Sequence, residues 1–244
     1  MMTPFLGELI GTAILVLLGN GVVANVVLSG TKGEGAGWIV ITWGWGMAVF
    51  VAVFTVAAFS GAHINPAVTL GLALAGKFAW GDVPAYVAAQ FIGAAVGTTL
   101  VWLVYRDHYA QTRDPDAKLA TFCTGPALRN PVSNLVSEIV GTFILVFAVL
   151  FLAVAVFGLG GLDALPVGLL VLAIGLSLGG TTGYAINPAR DLAPRLMHAL
   201  LPIPGKRDSD WGYAWIPVVG PLIGAVLAAL TYLLLQDPLD VNFR

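Results

Sequence analysis

The chain has 244 residues, of which 58% are hydrophobic and only 10% charged, against roughly 25% charged in a soluble domain. Mean hydropathy is +0.91 and formal net charge is −2, so the balance gives no basis for a nucleic-acid partner and excludes a soluble globular domain. The chain reads as an all-α integral membrane protein with little mass outside the lipid bilayer. Its single cysteine, Cys123, can form neither an intrachain disulfide nor a metal cluster and reads as an inert loop residue. No Lys or Arg precedes the first apolar run, so no cleavable signal peptide is expected.

Residues 9–31 are uncharged and long enough for a first span, which needs about 20 apolar residues. Lys32 and Glu34 mark a short polar loop. Residues 35–76 are again uncharged, too long for one span and tight for two. The break is Ser60-Gly61-Ala62-His63-Ile64-Asn65-Pro66. A full helix over about 37–58 is expected, then an extended stretch, then a half-helix from Pro66 to about Ala75. Asn caps a helix through its side-chain oxygen, and Pro suits the first turn because it has no N–H to leave unpaired. Such a helix starts with a positive dipole end and an Asn amide still able to donate. It cannot reach across the bilayer. Non-helical backbone at membrane depth persists only where it is buried in protein or lines a wet cavity, so Gly61–Asn65 points to a pore or a binding site.

Residues 83–105 make the third span and residues 106–131 a polar connecting loop. The pattern then repeats. Glu8-Leu9-Ile10-Gly11-Thr12 is answered by Glu138-Ile139-Val140-Gly141-Thr142, and Asn65-Pro66-Ala67 by Asn187-Pro188-Ala189. The fourth span is expected over 139–162, the fifth over about 165–181, and the sixth over 213–235. A second extended stretch ends at Ile186, and a second half-helix runs from Pro188 to about Leu200. The chain thus divides into a first repeat (1–105), the connecting loop (106–131) and a second repeat (132–244). Three spans per repeat invert the second relative to the first, and the half-helices dip in from opposite faces to meet near the midplane. Inverted repeats with broken helices are the layout of membrane transport proteins. The basic residues alone favour an outside N-terminus by the positive-inside rule.

Paired Asn-Pro-Ala boxes, Ser60-Gly61-Ala62-His63, Asn187-Pro188-Ala189-Arg190 and the Glu heading each repeat resemble the aquaporin and glycerol-facilitator family over about residues 4–236. The resemblance implies six spans with two re-entrant half-helices, an N-terminus inside, one pore per protomer and a homotetramer. Asp191 after Arg190, with Arg195, Tyr105 and Pro217, is similar to the glycerol-conducting branch. It implies a constriction of Trp45, Gly175, Tyr184 and Arg190, with Tyr184 where glycerol facilitators usually carry Phe. Trp43 rivals Trp45; two residues are about 200° around a helix, so only one of them can face the pore.

Several roles follow as expectations. Arg190 is expensive in an apolar segment and so functional, with carbonyls of the extended stretches as its partners. Glu8 and Glu138 accept from backbone N–H groups of their re-entrant loops, in a supporting role that Asp191 shares. The carbonyls of Gly61, Ala62, His63 and Ile64, and of Gly183, Ala185 and Ile186, form a ladder of acceptors facing an apolar wall. His108 and His198 read as surface or helix-end residues. No nucleotide loop, metal spacing or nucleophile–base pair is present, so neither a cofactor nor an enzyme is expected. The reading is a passive channel for glycerol, other small neutral solutes and water that excludes protons and ions. A water-selective channel is the nearest alternative. A coupled transporter is further off, because such proteins carry an acidic residue within the membrane, and none lies away from the ends of the repeats.

Overall fold

The computed structural model describes residues 2–152 and 160–236. Within them the chain forms α1 (Pro4–Val27), α2 (Trp38–Ser60), α3 (Pro66–Leu74), α4 (Val83–Val104), α5 (Arg106–Gln111), α6 (Pro115–Ala120), α7 (Pro131–Leu152), α8 (Leu165–Leu178), α9 (Pro188–Leu200) and α10 (Ile216–Leu235). Among the described residues, six helices are long and apolar enough to cross a membrane: α1, α2, α4 and α8 with their lead-in turns where present, α7 and α10. The chain is a multi-pass membrane protein. The half-helices α3 and α9 span 9 and 13 residues. At 1.5 Å per residue, α3 covers roughly 14 Å, about half the hydrocarbon thickness.

A polar cap followed by Pro starts α1, α3, α6, α7 and α9. Thr3 Oγ1 accepts from Leu6 N before Pro4, and Asp114 Oδ1 accepts from Asp116 N across Pro115. Asn130 Oδ1 accepts from Val132 N and Ser133 N across Pro131. This third Asn-Pro pair explains why the fourth span begins eight residues before its expected start at 139. The expected end of that span falls on residues 153–159, outside the described residues. The other spans lie within a few residues of expectation; the first begins at Pro4 because Thr3 caps it there.

Each repeat closes on itself through glycines. A Cβ on Gly93 or Gly97 of α4 would come within 2.2 Å of Leu9 O and 2.4 Å of Ala13 O on α1. In the second repeat, a Cβ on Gly224 of α10 would come within 2.5 Å of Ile139 O on α7, and one on Gly220 within 2.6 Å of Glu138 Cβ. Small residues four apart let helix backbones approach closely, the means of packing where lipid removes the hydrophobic drive. The repeats meet where α2 packs on α8 and α3 on α10.

His198 stands at a helix end, in the last turn of α9, and Cys123 in a loop, and both are interior. His198 is fully buried, with Nδ1 against Ser209 Oγ at 2.8 Å. Cys123 lies in a small apolar cluster with Tyr109, Phe122 and Ile203. Both sit under the loops flanking α9, which fold over them.

Candidate functional site

A cavity of about 590 Å³ passes between the repeats, lined from Lys77 and Asp163 through both extended stretches to Tyr184 and Arg190. Asn65 and Asn187 line it where the N-termini of α3 and α9 come together. Asn65 Oδ1 accepts from Ala67 N at 2.9 Å; Asn187 Oδ1 accepts from Ala189 N at 3.0 Å and Arg190 N at 3.2 Å. Pro66 and Pro188 take the first helical positions, and Ala67 is fully buried, as is Ala189. Each Asn amide crosses to the other repeat. Asn65 Nδ2 donates to Ile186 O at 2.8 Å, and Asn187 Nδ2 to Ile64 O at 2.9 Å. One N–H of each amide is used by this exchange, which leaves one for a molecule in the cavity.

The extended stretches are strained in matching places. Gly61, Ala62 and Ile64 have φ of 77°, 52° and 45°, and Gly183, Tyr184 and Ile186 have 82°, 39° and 43°. Left-handed backbone costs a non-glycine residue roughly 1–2 kcal/mol, and β-branched Ile64 and Ile186 suit it least. The two carboxylates at the heads of the repeats hold this backbone. Glu8 Oε1 accepts from Ser60 Oγ at 2.8 Å and His63 N at 2.9 Å, and Oε2 from Ile64 N and Gln90 Nε2 at 2.7 Å each. Glu138 Oε1 accepts from Thr182 Oγ1 at 2.7 Å and Ala185 N at 3.0 Å, and Oε2 from Ile186 N at 2.8 Å. Both side chains are fully buried. Their neighbours differ: among the described residues, no side-chain amide donates to Glu138 as Gln90 does to Glu8.

Gly61, Ala62, His63, Ile64, Ala185 and Ile186 line the cavity. Gly183 does not: it packs on Thr124, where a Cβ would come within 3.3 Å. The His63 ring is held by Thr69 Oγ1 at 3.1 Å and packs on Phe78 and Tyr86.

Of the two tryptophan candidates, Trp45 is buried and lines the cavity, whereas Trp43 is 49% exposed on the outer surface. Arg190 differs from expectation. Its guanidinium carbon lies 4.1 Å from the centre of the Trp45 ring, a cation–π contact. Its Nη1 is buried with no hydrogen-bond partner. The last carbonyl of each stretch accepts from the opposite Asn amide, and the Trp45 indole face meets the guanidinium. Gly175 contributes no lining atom. A Cβ there would lie 2.8 Å from Tyr184 Cζ, so the Tyr184 ring fills the space. Trp38 fixes that ring edge-on and donates through Nε1 to Gly175 O at 3.1 Å.

Behind Arg190 lies a buried network of which the sequence shows only the components. Asp191 Oδ2 accepts from Thr124 N at 2.7 Å and Thr124 Oγ1 at 2.6 Å; Oδ1 accepts from Arg195 Nε at 3.0 Å. Arg195 also donates to the carbonyls of Thr124, Ser209 and Asp210. Lys206 Nζ donates to the carbonyls of His198, Ala199 and Leu201, satisfying the last turn of α9. Asp191 therefore ties the second half-helix to the connecting loop, and the i,i+4 spacing of Asp191 and Arg195 was the one visible signal.

The profile of the family described as "Major intrinsic protein" matches residues 1–232. The chain belongs to the major intrinsic protein family. It is 58% identical over 237 residues to a probable glycerol uptake facilitator protein of Thermotoga maritima, covering 95% of this chain and 98% of that one. It is 51% identical over 231 residues to the glycerol uptake facilitator protein of Bacillus subtilis, covering 95% of this chain and 84% of that one. The X-ray structure of the aquaglyceroporin from Plasmodium falciparum superposes with a TM-score of 0.83 over 96% of both chains at 33% identity. The fold is that of the family, with six spans and two re-entrant half-helices.

Proposed function

We infer that the chain is a passive membrane channel for glycerol and other small uncharged solutes. The observation that carries this reading is the pair of Asn-capped half-helix N-termini meeting on one cavity in a chain of this family. A polyol has oxygens on one edge and carbon on the other. Its oxygens pass along the carbonyls of Gly61, Ala62 and His63 and of Ala185, and its carbons pass Trp45 and the apolar wall of α1, α2, α7 and α8. Asn65 and Asn187 each donate their remaining amide N–H to the passing oxygen. Arg190 donates at the constriction, and Trp45 and Tyr184 take the carbon edge there.

Water is a second permeant in this reading, since it needs only the donors and acceptors a polyol uses. Protons and cations are excluded by two positive helix ends and Arg190; lining groups and electrostatic barriers set selectivity of this kind. Glu8, Glu138 and Asp191 are supports that hold the loops and half-helices in place. The cell membrane is its location, with the N-terminus inside and four copies assembled, each with its own pore.

The test is uptake by reconstituted vesicles followed by light scattering. Glycerol should equilibrate much faster in proteoliposomes than in protein-free vesicles, without saturation at high concentration and without dependence on Na⁺ or pH gradient. Saturable, cation-dependent uptake would identify a coupled transporter instead.

A further inference from the structure

A groove of about 480 Å³ lies between α4 and α9, apart from the cavity that passes between the repeats. Phe91, Ile92 and Ala95 of α4 form one side of it, and Leu192 and Leu196 of α9 the other. Ala193 is buried at its floor, packed with Val16, Ala94 and Ala189. Trp211, from the segment after α9, completes the lining. Ile92, Leu196 and Trp211 are exposed. Because α4 is a membrane span, the groove opens on lipid and not on water. An apolar hollow left empty forfeits the dispersion contacts of its lining. Seven side chains line this one, against roughly 20–30 residues a side in a stable interface between proteins. It has room for a hydrocarbon chain and too little surface for a second copy of the protein.

A polar anchor stands above it. Trp102 is seven residues beyond Ala95 on α4, which brings it within about 20° of the same face and about 10 Å nearer the connecting loop. The Arg106 guanidinium lies 5.8 Å from the centre of the Trp102 ring and forms no ion pair among the described residues. Trp and Arg at the end of a span mark the membrane interface, and a guanidinium fork fits a phosphate. Trp102 packs with Met197 and Leu201 against one apolar cluster, so the seam between α4 and α9 continues from the groove to the level of Arg106.

We propose that the groove holds one acyl chain of a phospholipid from the leaflet on the connecting-loop side, with the lipid phosphate on Arg106. Leu192 and Leu196 lie about 200° and 240° around α9 from Arg190. The bound chain therefore backs the second half-helix from the side turned away from the cavity, and the lipid is a structural ligand of the protein.

The experiment exchanges the full chain extensively into maltoside detergent, then adds 1-palmitoyl-2-oleoyl-phosphatidylglycerol and follows native mass spectra and melting curves. Wild type should bind one phospholipid per chain, and binding should raise the melting temperature. Ala95→Trp and Leu196→Trp each fill the groove with a side chain; binding should fall by about tenfold and the rise in melting temperature should vanish. Leu227→Trp adds bulk to an exposed position of α10 outside the groove and should bind as wild type does. Arg106→Gln should weaken binding about tenfold, as loss of a charge-assisted hydrogen bond does. Wild type that binds no phospholipid overturns the proposal without use of any variant. So does undiminished binding in whichever groove variant folds, or an equal loss in Leu227→Trp. Undiminished binding in Arg106→Gln overturns the headgroup assignment. A groove variant that alters the number of chains per particle and not the lipid count overturns the lipid in favour of a second copy.

Discussion

Asp191 and Arg195 form an ion pair at 2.9 Å in which both side chains are fully shielded from solvent. Neither touches the cavity, yet between them they hold Thr124 of the connecting loop and the Ser209–Asp210 backbone against α9. Breaking a buried pair from one side strands the other charge, which costs about 3–5 kcal/mol. Arg195→Met and Asp191→Leu should therefore each lower thermal stability in detergent markedly. The double variant should lose less than the sum of the two, because it leaves no unpaired charge. Additive losses would mean that the residues act independently.

Glu8 and Glu138 make a second stability prediction. Glu8→Ala strands two backbone N–H groups, of His63 and Ile64, and deprives Gln90 of an acceptor. Glu138→Ala strands those of Ala185 and Ile186. Each stranded group costs about 1–3 kcal/mol, in a stretch already under backbone strain. Both variants should be recovered in low yield and melt early, Glu8→Ala the more so. The glycerol-to-water permeability ratio of the protein that does fold should stay close to wild type. Stable variants with altered solute preference would show that the carboxylates act in selection and not in support.

Gly175 and Tyr184 compete for one space, so their substitutions should not be additive. Gly175→Ala alone places a Cβ 2.8 Å from Tyr184 Cζ, and the ring must tip toward the cavity. Glycerol flux should fall by about tenfold, and Gly175→His should lower it further while sparing much of the water flux. Overpacking of this kind also destabilises the fold by typically 1–3 kcal/mol, so flux is compared per folded protein. Tyr184→Ala in the Gly175→Ala background should restore most of the flux. An unchanged flux in Gly175→Ala would show that Gly175 and Tyr184 do not share one space.

The paired half-helix ends yield a prediction about ions. Asn65→Asp and Asn187→Asp place a negative charge at each positive helix terminus, where a carboxylate is well received. The double variant should pass cations that wild type excludes, read as a K⁺ or proton current across a planar bilayer. A double variant that is folded, conducts glycerol and carries no current would place the ion barrier at Arg190 alone.

Much of this architecture is legible in the residues because it is local. Asn-Pro pairs start helices wherever they occur, and the lengths of apolar runs separate full spans from half-spans. The same rule also operated at Asn130-Pro131, where polar neighbours hid the start of α7. What escaped the sequence is long-range. Thr124 meets Asp191 across 67 positions, and no local pattern announces it. His198 and Cys123 are buried by loops folding over them, which composition cannot report. The Trp45 ring that meets Arg190 lies 145 positions away in the chain, beyond any local pattern. Left-handed backbone at Ile64 and Ile186 runs against the preference of β-branched residues, and the carboxylate anchors on their N–H groups together with the Asn amides on their carbonyls hold it.

The exchange between Asn65 and Ile186, and between Asn187 and Ile64, has a consequence for how the protein is made. When α3 leaves the ribosome, its cap lacks the carbonyl it needs, which lies 121 residues further along the chain. Glu8, Tyr86 and Thr69 already hold the first re-entrant loop from within its own repeat, but its Asn65 amide meets its acceptor only when the second loop is in place. A chain that stops before Ile186 would therefore keep the Asn65 cap on Ala67 N and lack the carbonyl that takes the Asn65 amide.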